Sequence, residues 1–519
     1  MHFIVKLFPE IIIKSAPVRK SMIRQLRRNL RALIEPLTSD LEVRSEWDRI
    51  EIESMSGRGE SEREGSTGDS EVVAQQDMVV EEAVAELLTR TPGIANCSRV
   101  VSYPLYVDGE ASESGEEAVE PEVDYDYIAD CVWSSFSETL PGKRFVVRVK
   151  RTGKHPFVSP EVERQVGGRL LVRAEGSSVS LRDPELVVRL EITANVLYVL
   201  ESTRQGLGGF PMGVQQPVLS LVSGGFDSTV ASYLTMKRGI RTHFCFFNLG
   251  GRAHELGVKE VAYFLWQKYG ASHRVKFITV PFEDVVAEIL TSVDNSQMGV
   301  VLKRMMLRAA TTVAQEWNVD ALVTGESVAQ VASQTLPNLA VIDAATDMLT
   351  LRPLAVMDKN EIINIAREIG TEEFAANMPE YCGVISVKPT TQAKKARIEA
   401  EEGKFDFAVL ERAVAARREE NIDAVMESDL GRVEVEVFSA PQPGVTILDI
   451  RHPDESARRA LSAGTVTVET SPFYQVQNFF DGVAPETPYL LYCEKGVMSR
   501  LHAELLVERG FSHVGVYRP

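Results

Sequence analysis

The sequence has few cysteines, and their spacing excludes several classes of protein. The 519 residues contain five, at positions 97, 131, 245, 382 and 493. Because these are scattered over the chain, we expect neither the disulfide framework of a small secreted protein nor a metal-ligating cluster. The expected location is a reducing cytoplasm, where any thiol chemistry should be catalytic.

Long apolar runs are also missing. No stretch reaches the roughly 18 apolar residues that a membrane-spanning helix needs, so no membrane partner is expected. The first residues, MHFIVK, read as a strand and lack the layout of a signal peptide. At roughly 150 residues per domain, the length predicts three or four domains.

Positive charge is in the minority, with 56 Lys and Arg against 74 Asp and Glu. Taken as a sum, the net charge of −18 argues against nucleic acid as a partner. Much of the negative charge, however, lies in two insertions, 54–71 and 108–122, that have almost no apolar residues. We predict that both insertions are disordered, and their role stays open.

Two segments carry the opposite charge. No acidic residue occurs in the amphipathic stretch from Ile11 to Ile34, and residues 143–173 contain nine Lys or Arg against two Glu. One interpretation is a solvated helix face. The other is a surface that contacts the phosphates of RNA, for which the candidate residues are Lys150, Arg151 and Lys154.

The stretch VLSLVSGGFDST, residues 218–229, organises the rest of the chain. An apolar strand, a small-residue turn and a helix start form an anion site, because loop N–H groups and the helix dipole favour negative charge. The loop lacks the Gly-Lys-Ser/Thr of a Walker A motif and the Gly-x-Gly-x-x-Gly of dinucleotide folds. The alternative is a strand–turn–helix without a ligand. Candidate phosphate-binding residues are Ser223, Gly224, Gly225, Asp227 and Ser228.

Strand and helix patterns alternate from 218 to about 400. We predict strands at 218–222, 241–248, 275–280 and 320–324, with helices at 226–238, 255–269 and 299–317. This order indicates a doubly wound parallel sheet whose ligand lies at the carboxyl ends of the strands. The Gly- and Pro-rich residues 203–217 read as a linker.

A second constellation surrounds Cys493, which lies between the strand Leu490–Tyr492 and a helix that starts near Val497. A thiolate at a helix N-terminus is stabilised by the dipole and by loop N–H groups, and Lys495 and Arg500 add positive charge. Such a cradle also suits a persulfide. A buried structural cysteine and a phosphatase loop are the alternatives.

Cys382 follows Pro379-Glu380-Tyr381 in a predicted loop. By spacing alone, a packed cysteine is the simpler interpretation. However, the same chain also contains an anion-binding loop and a cysteine suited to carry sulfur, and this combination favours a catalytic role for Cys382. Cys97, Cys131 and Cys245 lie in apolar or strand-like surroundings, and we interpret them as structural.

Three local motifs resemble known families. Ser-Gly-Gly-x-Asp-Ser resembles the PP-loop of the ATP pyrophosphatases. The basic strand followed by Gly-x-His-x-Phe-x-Ser, residues 153–159, resembles the RNA-binding THUMP domain, and the Cys493 loop resembles a rhodanese domain. Together they resemble the tRNA 4-thiouridine synthetases in their long form, from the N-terminal FIVKLFPE to the final VYRP. The two acidic insertions depart from the family pattern and put the early domain boundaries in doubt.

The resemblance implies a multidomain α/β and α+β fold. The implied divisions are a ferredoxin-like domain at 1–72, a THUMP domain at 73–202, a linker at 203–217, a PP-loop domain at 218–400, a connector at 401–430 and a rhodanese-like domain at 431–519. Within this arrangement, a flexible connector must let the rhodanese-like domain swing in.

The resemblance also implies a reaction. ATP with Mg²⁺ adenylates the C4 oxygen of the uridine at tRNA position 8, with Asp227 at the pyrophosphate. A cysteine desulfurase loads Cys493 with a persulfide that attacks C4, and Cys382 then forms a disulfide with Cys493. The family's remaining ATP contacts correspond to Leu221, Val222, Phe246, Phe247, Lys303, Gly325 and Gln334.

Relatives also donate sulfur to the sulfur-carrier protein for the thiamine thiazole, so a second role is open. The oligomeric state stays open too, with a homodimer among the alternatives, as does the set of modified tRNAs. Two rival functions are a PP-loop amidotransferase or ligase and an RNA-binding or sulfur-relay protein with a dead nucleotide site. The first would need a glutaminase cysteine, and the intact loop argues against the second.

Overall fold

A computed structural model describes residues 1–55, 69–106, 123–249, 251–376, 378, 388–427, 433–440, 444–464, 466–494 and 496–519. The chain forms two compact units, Met1–Pro211 and Met212–Pro519. Of the predicted disordered insertions, residues 56–68 and 108–122 lie outside the described residues. Ser54 ends a strand and residues 69–71 begin a helix, so those ends of the first insertion are ordered.

The N-terminal unit contains one eight-stranded sheet in the order β2-β3-β1-β4-β8-β7-β5-β6. Its elements are β1 (His2–Leu7), α1 (Pro9–Ile12), α2 (Ala16–Ile34), β2 (Leu41–Ser45), β3 (Arg49–Ser54), α3 (Asp69–Arg90), β4 (Ile94–Pro104), α4 (Tyr125–Phe136), β5 (Arg144–Thr152), α5 (Ser159–Arg173), β6 (Ser178–Val179), β7 (Leu186–Thr193) and β8 (Val196–Gly208). The predicted amphipathic helix is α2, which buries Ile23, Leu26 and Leu30.

The first four strands follow the β-α-β-β-α-β order of a ferredoxin-like module, with β1 antiparallel to both β3 and β4. Helix α3 and strand β4 complete this module, which therefore extends beyond residue 72, where the sequence predicts a domain boundary. The acidic insertion separates β3 from α3 in the sequence but does not end the module. Strand β4 also pairs with β8, which runs to Gly208. The first six residues of the expected linker 203–217 therefore belong to the sheet.

The C-terminal unit begins with the loop module, which we define as the described residues of 212–427. Its elements are β9 (Val218–Leu221), α6 (Phe226–Lys237), β10 (Thr242–Asn248), α7 (Gly251–Leu265), β11 (Lys276–Pro281), α8 (Glu283–Ser292), α9 (Met298–Glu316), β12 (Ala321–Val323), α10 (Leu336–Asp343), β13 (Leu349–Leu351), α11 (Lys359–Ile369), α12 (Glu372–Ala376), α13 (Lys395–Glu402), α14 (Phe407–Ala415) and β14 (Arg418–Asn421). The sheet order is β13-β12-β9-β10-β11-β14.

Five of these strands are parallel, which agrees with the predicted parallel sheet, although only four of them were predicted and β13 was not; β14 is antiparallel to β11. Strand β14 and helix α14 fall in the expected connector 401–430, so residues 407–421 of that segment contain regular structure. The apolar residues of α14, such as Val409 and Leu410, pack into the same core as β11 and α9. The sequence of 401–430 predicts a connector because charged residues dominate it.

The C-terminal module, defined as the described residues of 433–519, has a parallel sheet in the order β15-β19-β18-β16-β17. Its elements are β15 (Val437–Phe438), β16 (Thr446–Asp449), α15 (Pro453–Arg458), β17 (Val468–Thr470), α16 (Val476–Phe480), β18 (Tyr489–Tyr492), α17 (Val497–Glu508) and β19 (Val514–Tyr517). The expected multidomain α/β and α+β fold class is confirmed. No helix within the described part of the chain is long and apolar enough to cross a membrane.

Candidate active site

The predicted anion-binding loop lies between β9 and α6, at the carboxyl edge of the parallel sheet. Gly224 has φ +82°, a left-handed conformation that glycine adopts without strain. Ser228 holds the loop: its Oγ accepts a hydrogen bond from the backbone N–H of Ser223 at 3.1 Å and donates to the carbonyl of Gly225 at 3.3 Å. Four of the candidate phosphate residues therefore form one hydrogen-bonded turn at the N-terminus of α6.

The fifth, Asp227, lies in the first turn of α6 and has two partners. Oδ1 is 2.8 Å from Nζ of Lys359, and Oδ2 accepts from Nε2 of Gln330 at 2.7 Å. Sequence reasoning missed both partners. Lys359 is the first residue of α11, whose N-cap Asp358 forms a capping box with Glu361, but nothing in the sequence indicates that Lys359 turns towards Asp227.

Gly325 follows β12 and touches the backbone of α6. An ideal Cβ at this position would lie 2.5 Å from the carbonyl carbon of Asp227 and 2.5 Å from the nitrogen of Ser228. No side chain fits at that distance without movement of the backbone. The structure therefore brings the predicted Gly325 against the anion-binding loop, across about a hundred residues of sequence.

Lys303, another predicted ligand contact, lies beside the residue that follows Gly325. Its Nζ is 2.8 Å from Oε1 of Glu326, while Nε of Arg352 is 2.8 Å from Oε2. Burial raises the pKa of Glu326, but the two cations outweigh burial and hold that pKa below its usual value. The ammonium group of Lys303 and the guanidinium group of Arg352 thus both contact the Glu326 carboxylate, just after the carboxyl end of β12.

The ends of β9 and β10 flank the loop. Leu221 pairs with Cys245 in the parallel sheet, and the N–H of Val222 donates to the carbonyl of Cys245 at 2.9 Å. The buried ring of Phe246 contacts the ring of His254, with centroids 4.9 Å apart. His254 in turn donates from Nε2 to the carbonyl of Ser223 at 3.2 Å. The predicted contacts on β9 and β10 therefore adjoin the anion-binding loop.

Gln334 lies in a 3₁₀ turn that precedes α10, and its side chain is 8% exposed. Among the described residues, no hydrogen-bond partner reaches its buried Oε1. A buried acceptor without a protein partner is costly unless a water or a ligand donates to it. This observation supports the predicted contact with a ligand. Phe247 packs on Phe282, with centroids 4.7 Å apart.

Cys493 follows β18 and is 8% exposed. Its Sγ accepts from the backbone N–H of Ser499 at 3.3 Å and donates to Oγ of Ser499 at 3.4 Å. Gly496, at φ +75°, caps α17. The sulfur therefore sits at the N-terminus of a twelve-residue helix, as predicted. Lys495 lies outside the described residues.

Cys382 also lies outside the described residues, so its position stays a prediction. The other three cysteines are buried. Burial raises the pKa of Cys97 to about 11 and that of Cys245 to about 12, and it also raises the pKa of Cys131. Their thiols stay protonated at neutral pH, which agrees with a structural role.

The three predicted RNA contacts lie in the N-terminal unit, at the end of β5 and in the loop that follows. Lys150 and Lys154 are exposed. Arg151 donates to the carbonyl of His155 at 3.2 Å and lies over the ring of Phe157, 6.0 Å from its centroid. The loop motif is thus packed on the basic strand, and both lysines face solvent.

Comparison with known families and proteins gives matches along the whole chain. The family described as Thiamine biosynthesis protein (ThiI) matches residues 213–407, and the THUMP domain matches residues 124–200. Two curated tRNA sulfurtransferases are similar over 100% of both chains: that of Saccharophagus degradans at 49% identity and that of Azotobacter vinelandii at 50%.

Solved structures share the fold. A 4-thiouridine synthetase in complex with RNA and ATP is 23% identical, with a TM-score of 0.65 over 81% of this chain and 99% of that one. A protein from Pyrococcus horikoshii is 16% identical, with a TM-score of 0.50 over 71% of this chain and 100% of the other.

Proposed function

The chain belongs to the tRNA sulfurtransferase family, and we propose that it uses ATP to replace the C4 oxygen of the uridine at tRNA position 8 with sulfur. The observation that carries the proposal is the full-length similarity to tRNA sulfurtransferases at 49% identity, joined to a Ser-Gly-Gly-x-Asp-Ser loop at a helix N-terminus. The product is 4-thiouridine, and the chain is an enzyme that transfers sulfur to tRNA.

ATP binds at the loop of residues 223–228. Backbone N–H groups at the start of α6 face the phosphates, and Lys303 and Lys359 provide cations for charge that develops on the leaving pyrophosphate. Phe246, Phe247, Leu221 and Val222 form the adjoining strand ends. Attack by the C4 oxygen on the α-phosphorus forms an adenylated uridine and releases pyrophosphate.

Mg²⁺ fits the site through Asp227. Magnesium in proteins is held by one or two carboxylates together with substrate phosphates, and Asp227 lies at the helix start where those phosphates bind. Among the described residues, no cluster of three or more His, Cys, Asp or Glu forms a metal site. An ion held by Asp227 and the phosphates of ATP would neutralise charge on the pyrophosphate.

Sulfur reaches the uridine on Cys493. The backbone N–H of Ser499, which donates to Sγ, and the N-terminus of α17 stabilise an anion there, which is the form in which a persulfide attacks. The outer sulfur bonds to C4 and AMP leaves. Cys382 then attacks Sγ of Cys493, which frees the thiolated uridine and leaves a Cys382–Cys493 disulfide. A cysteine desulfurase is the donor that loads Cys493.

tRNA binds the N-terminal unit through its phosphates. Lys150 and Lys154 are exposed, Arg151 orients the loop between them, and the basic face of α2 adds exposed arginines such as Arg24 and Arg28. The THUMP match over residues 124–200 includes all three candidate RNA-binding residues.

A second role in thiamine synthesis is supported by the description of the family that matches residues 213–407. In this role the persulfide on Cys493 passes to a sulfur-carrier protein. Both roles belong to the cytoplasm.

Mass spectrometry of nucleosides from the tRNA of a deletion strain tests the proposal. We expect 4-thiouridine to be lost and to return with the wild-type gene but not with Cys493→Ala. Normal 4-thiouridine in the deletion strain contradicts the proposal.

A further inference from the structure

The loop module and the C-terminal module contact each other through two helices, α7 and α17. Nε2 of His502, on α17, is 2.7 Å from Oε1 of Glu260, on α7, and both side chains are almost fully buried. Arg252 near the start of α7 pairs with Glu508 at the end of α17. The two helices therefore run antiparallel with a polar contact at each end of the shared stretch.

An aromatic cluster forms the second contact between the modules. The ring of Phe374, on α12, lies 4.5 Å from that of Tyr474 and 5.2 Å from that of Phe473, measured between centroids. His452 packs on Phe264 with centroids 4.9 Å apart. Phe374 is 2% exposed, so the C-terminal module covers it together with its own module.

The chain after Phe374 leads directly to the ATP-binding loop. An ideal Cβ on Gly224 would lie 2.5 Å from Cε of Met378, and one on Gly257 would lie 2.9 Å from the same atom. Phe374 of the aromatic cluster and Met378 beside the phosphate loop are thus only four positions apart in the sequence. Cys382 follows four residues later in the sequence.

Cys493 lies at the same edge of its sheet as His452, which contacts the loop module. His452 follows β16 and Cys493 follows β18, and these two strands are parallel neighbours. The carboxyl ends of parallel strands meet at one edge of a sheet. Since His452 packs against Phe264 and Phe374, the edge with Cys493 is the edge that docks.

We infer that His502, Glu260 and Phe374 are positioning residues that hold the C-terminal module docked against the loop module, with the sheet edge that bears Cys493 at the interface. The inference rests on the proposed function. It replaces the swinging connector expected from the sequence with a held interface. Its first consequence is that transfer from Cys493 depends on these three side chains, whereas adenylation and persulfide loading do not.

Substitution of either partner in the His502–Glu260 contact should weaken the docking strongly. Removal of one partner leaves the other buried without its hydrogen bond, which is more costly than loss of the contact itself. Glu260→Gln keeps an acceptor at the same position, because the amide oxygen can replace the carboxylate oxygen. Glu260→Ala and His502→Ala leave the partner unpaired. His513, an exposed histidine of the same module, provides the matched control.

The test uses full-length His502→Ala, Glu260→Ala, Glu260→Gln, Phe374→Ala and His513→Ala. Three rates are measured on each: persulfide loading of Cys493, RNA-dependent AMP formation in a single turnover, and 4-thiouridine formation. We expect 4-thiouridine formation to fall at least tenfold in the three disrupting variants, with the other two rates within twofold of wild type. Glu260→Gln should recover most of the loss, and His513→Ala should match wild type.

Wild-type rates of 4-thiouridine formation in all three disrupting variants overturn the inference. A wild-type enzyme that makes no 4-thiouridine refutes the proposed function instead, and hydrogen–deuterium exchange then decides the docking. Faster exchange in α12 and α17 of His502→Ala and Phe374→Ala, with unchanged exchange in β9 and α6, supports the held interface. Unchanged exchange in α12 and α17 overturns it.

Discussion

Gly325→Ala tests the contact between β12 and the phosphate loop. The added Cβ would lie 2.5 Å from the carbonyl carbon of Asp227, 2.5 Å from the nitrogen of Ser228 and 2.7 Å from the oxygen of Asp227. Carbon atoms pack at about 3.5 Å or more, so the backbone at the start of α6 must retreat by about 1 Å. All three obstructing atoms belong to the backbone, so no rotamer change relieves the clash.

The cost follows from that retreat. Overpacking of a filled site typically costs about 1–3 kcal/mol, which corresponds to roughly 5- to 150-fold in an equilibrium constant. The moved atoms carry Asp227 away from Lys359 and Gln330 and shift the N–H groups that face the phosphates. We therefore expect weaker binding of ATP with Mg²⁺ by a factor in that range, or an equivalent loss in the free energy of unfolding.

Two assays measure the effect: isothermal titration with a non-hydrolysable ATP analogue in the presence of Mg²⁺, and urea unfolding followed by circular dichroism. Gly168→Ala is the control, because a Cβ on this glycine in α5 meets nothing within 4 Å. That variant should bind ATP normally and gain about 0.5–1 kcal/mol from the lower conformational entropy of its unfolded chain. If Gly325→Ala matches wild type in both assays, the close approach of β12 to α6 is wrong.

Four further predictions follow from the sites. Lys359→Ala should slow pyrophosphate release about a hundredfold, as expected when a cation near developing charge is removed. Cys382→Ala should keep persulfide loading and adenylation but stop after one turnover with reductant present, whereas Cys493→Ala should lose loading itself. The pKa of Glu326 is lowered in the folded protein, so its ionised carboxylate adds to the free energy of unfolding above the usual glutamate pKa, and this contribution is lost as pH falls through the lowered pKa. Lys303→Met should move this loss of stability to higher pH, as measured by urea unfolding at a series of pH values. The slope of log affinity for tRNA against log salt should become shallower by about 2, one for each exposed lysine that contacts a phosphate, on joint substitution of Lys150, Arg151 and Lys154.

Local patterns predicted much of the C-terminal unit. Strand β9, the turn and helix α6 form a motif whose residues are contiguous, and the structure contains it at Val218–Lys237. The Cys493 loop is equally local. Period-two and helical patterns also placed β10, β11, β12 and α9 within two residues of their observed ends.

The features that the sequence did not predict depend on partners far away in the chain. Lys359 lies 132 residues from Asp227, and neither helix pattern indicates that the two side chains meet. Strand β14 is short and charged, and only its antiparallel pairing with β11 makes it a strand. Strand β4 joins the first module, beyond the predicted boundary at 72, for a similar reason: it belongs there through its partner β1 and not through its position in the chain.

The ratio of AMP formed to 4-thiouridine formed tests the central claim most directly. Purified enzyme is given unmodified tRNA, ATP with Mg²⁺ and a persulfide donor, and nucleotides and nucleosides are quantified together. We predict one AMP and one pyrophosphate for each 4-thiouridine, and neither 4-thiouridine nor turnover with Cys493→Ala. Release of ADP and phosphate in place of AMP, or 4-thiouridine formed at wild-type rate by Cys493→Ala, would contradict sulfur transfer from Cys493 to an adenylated uridine.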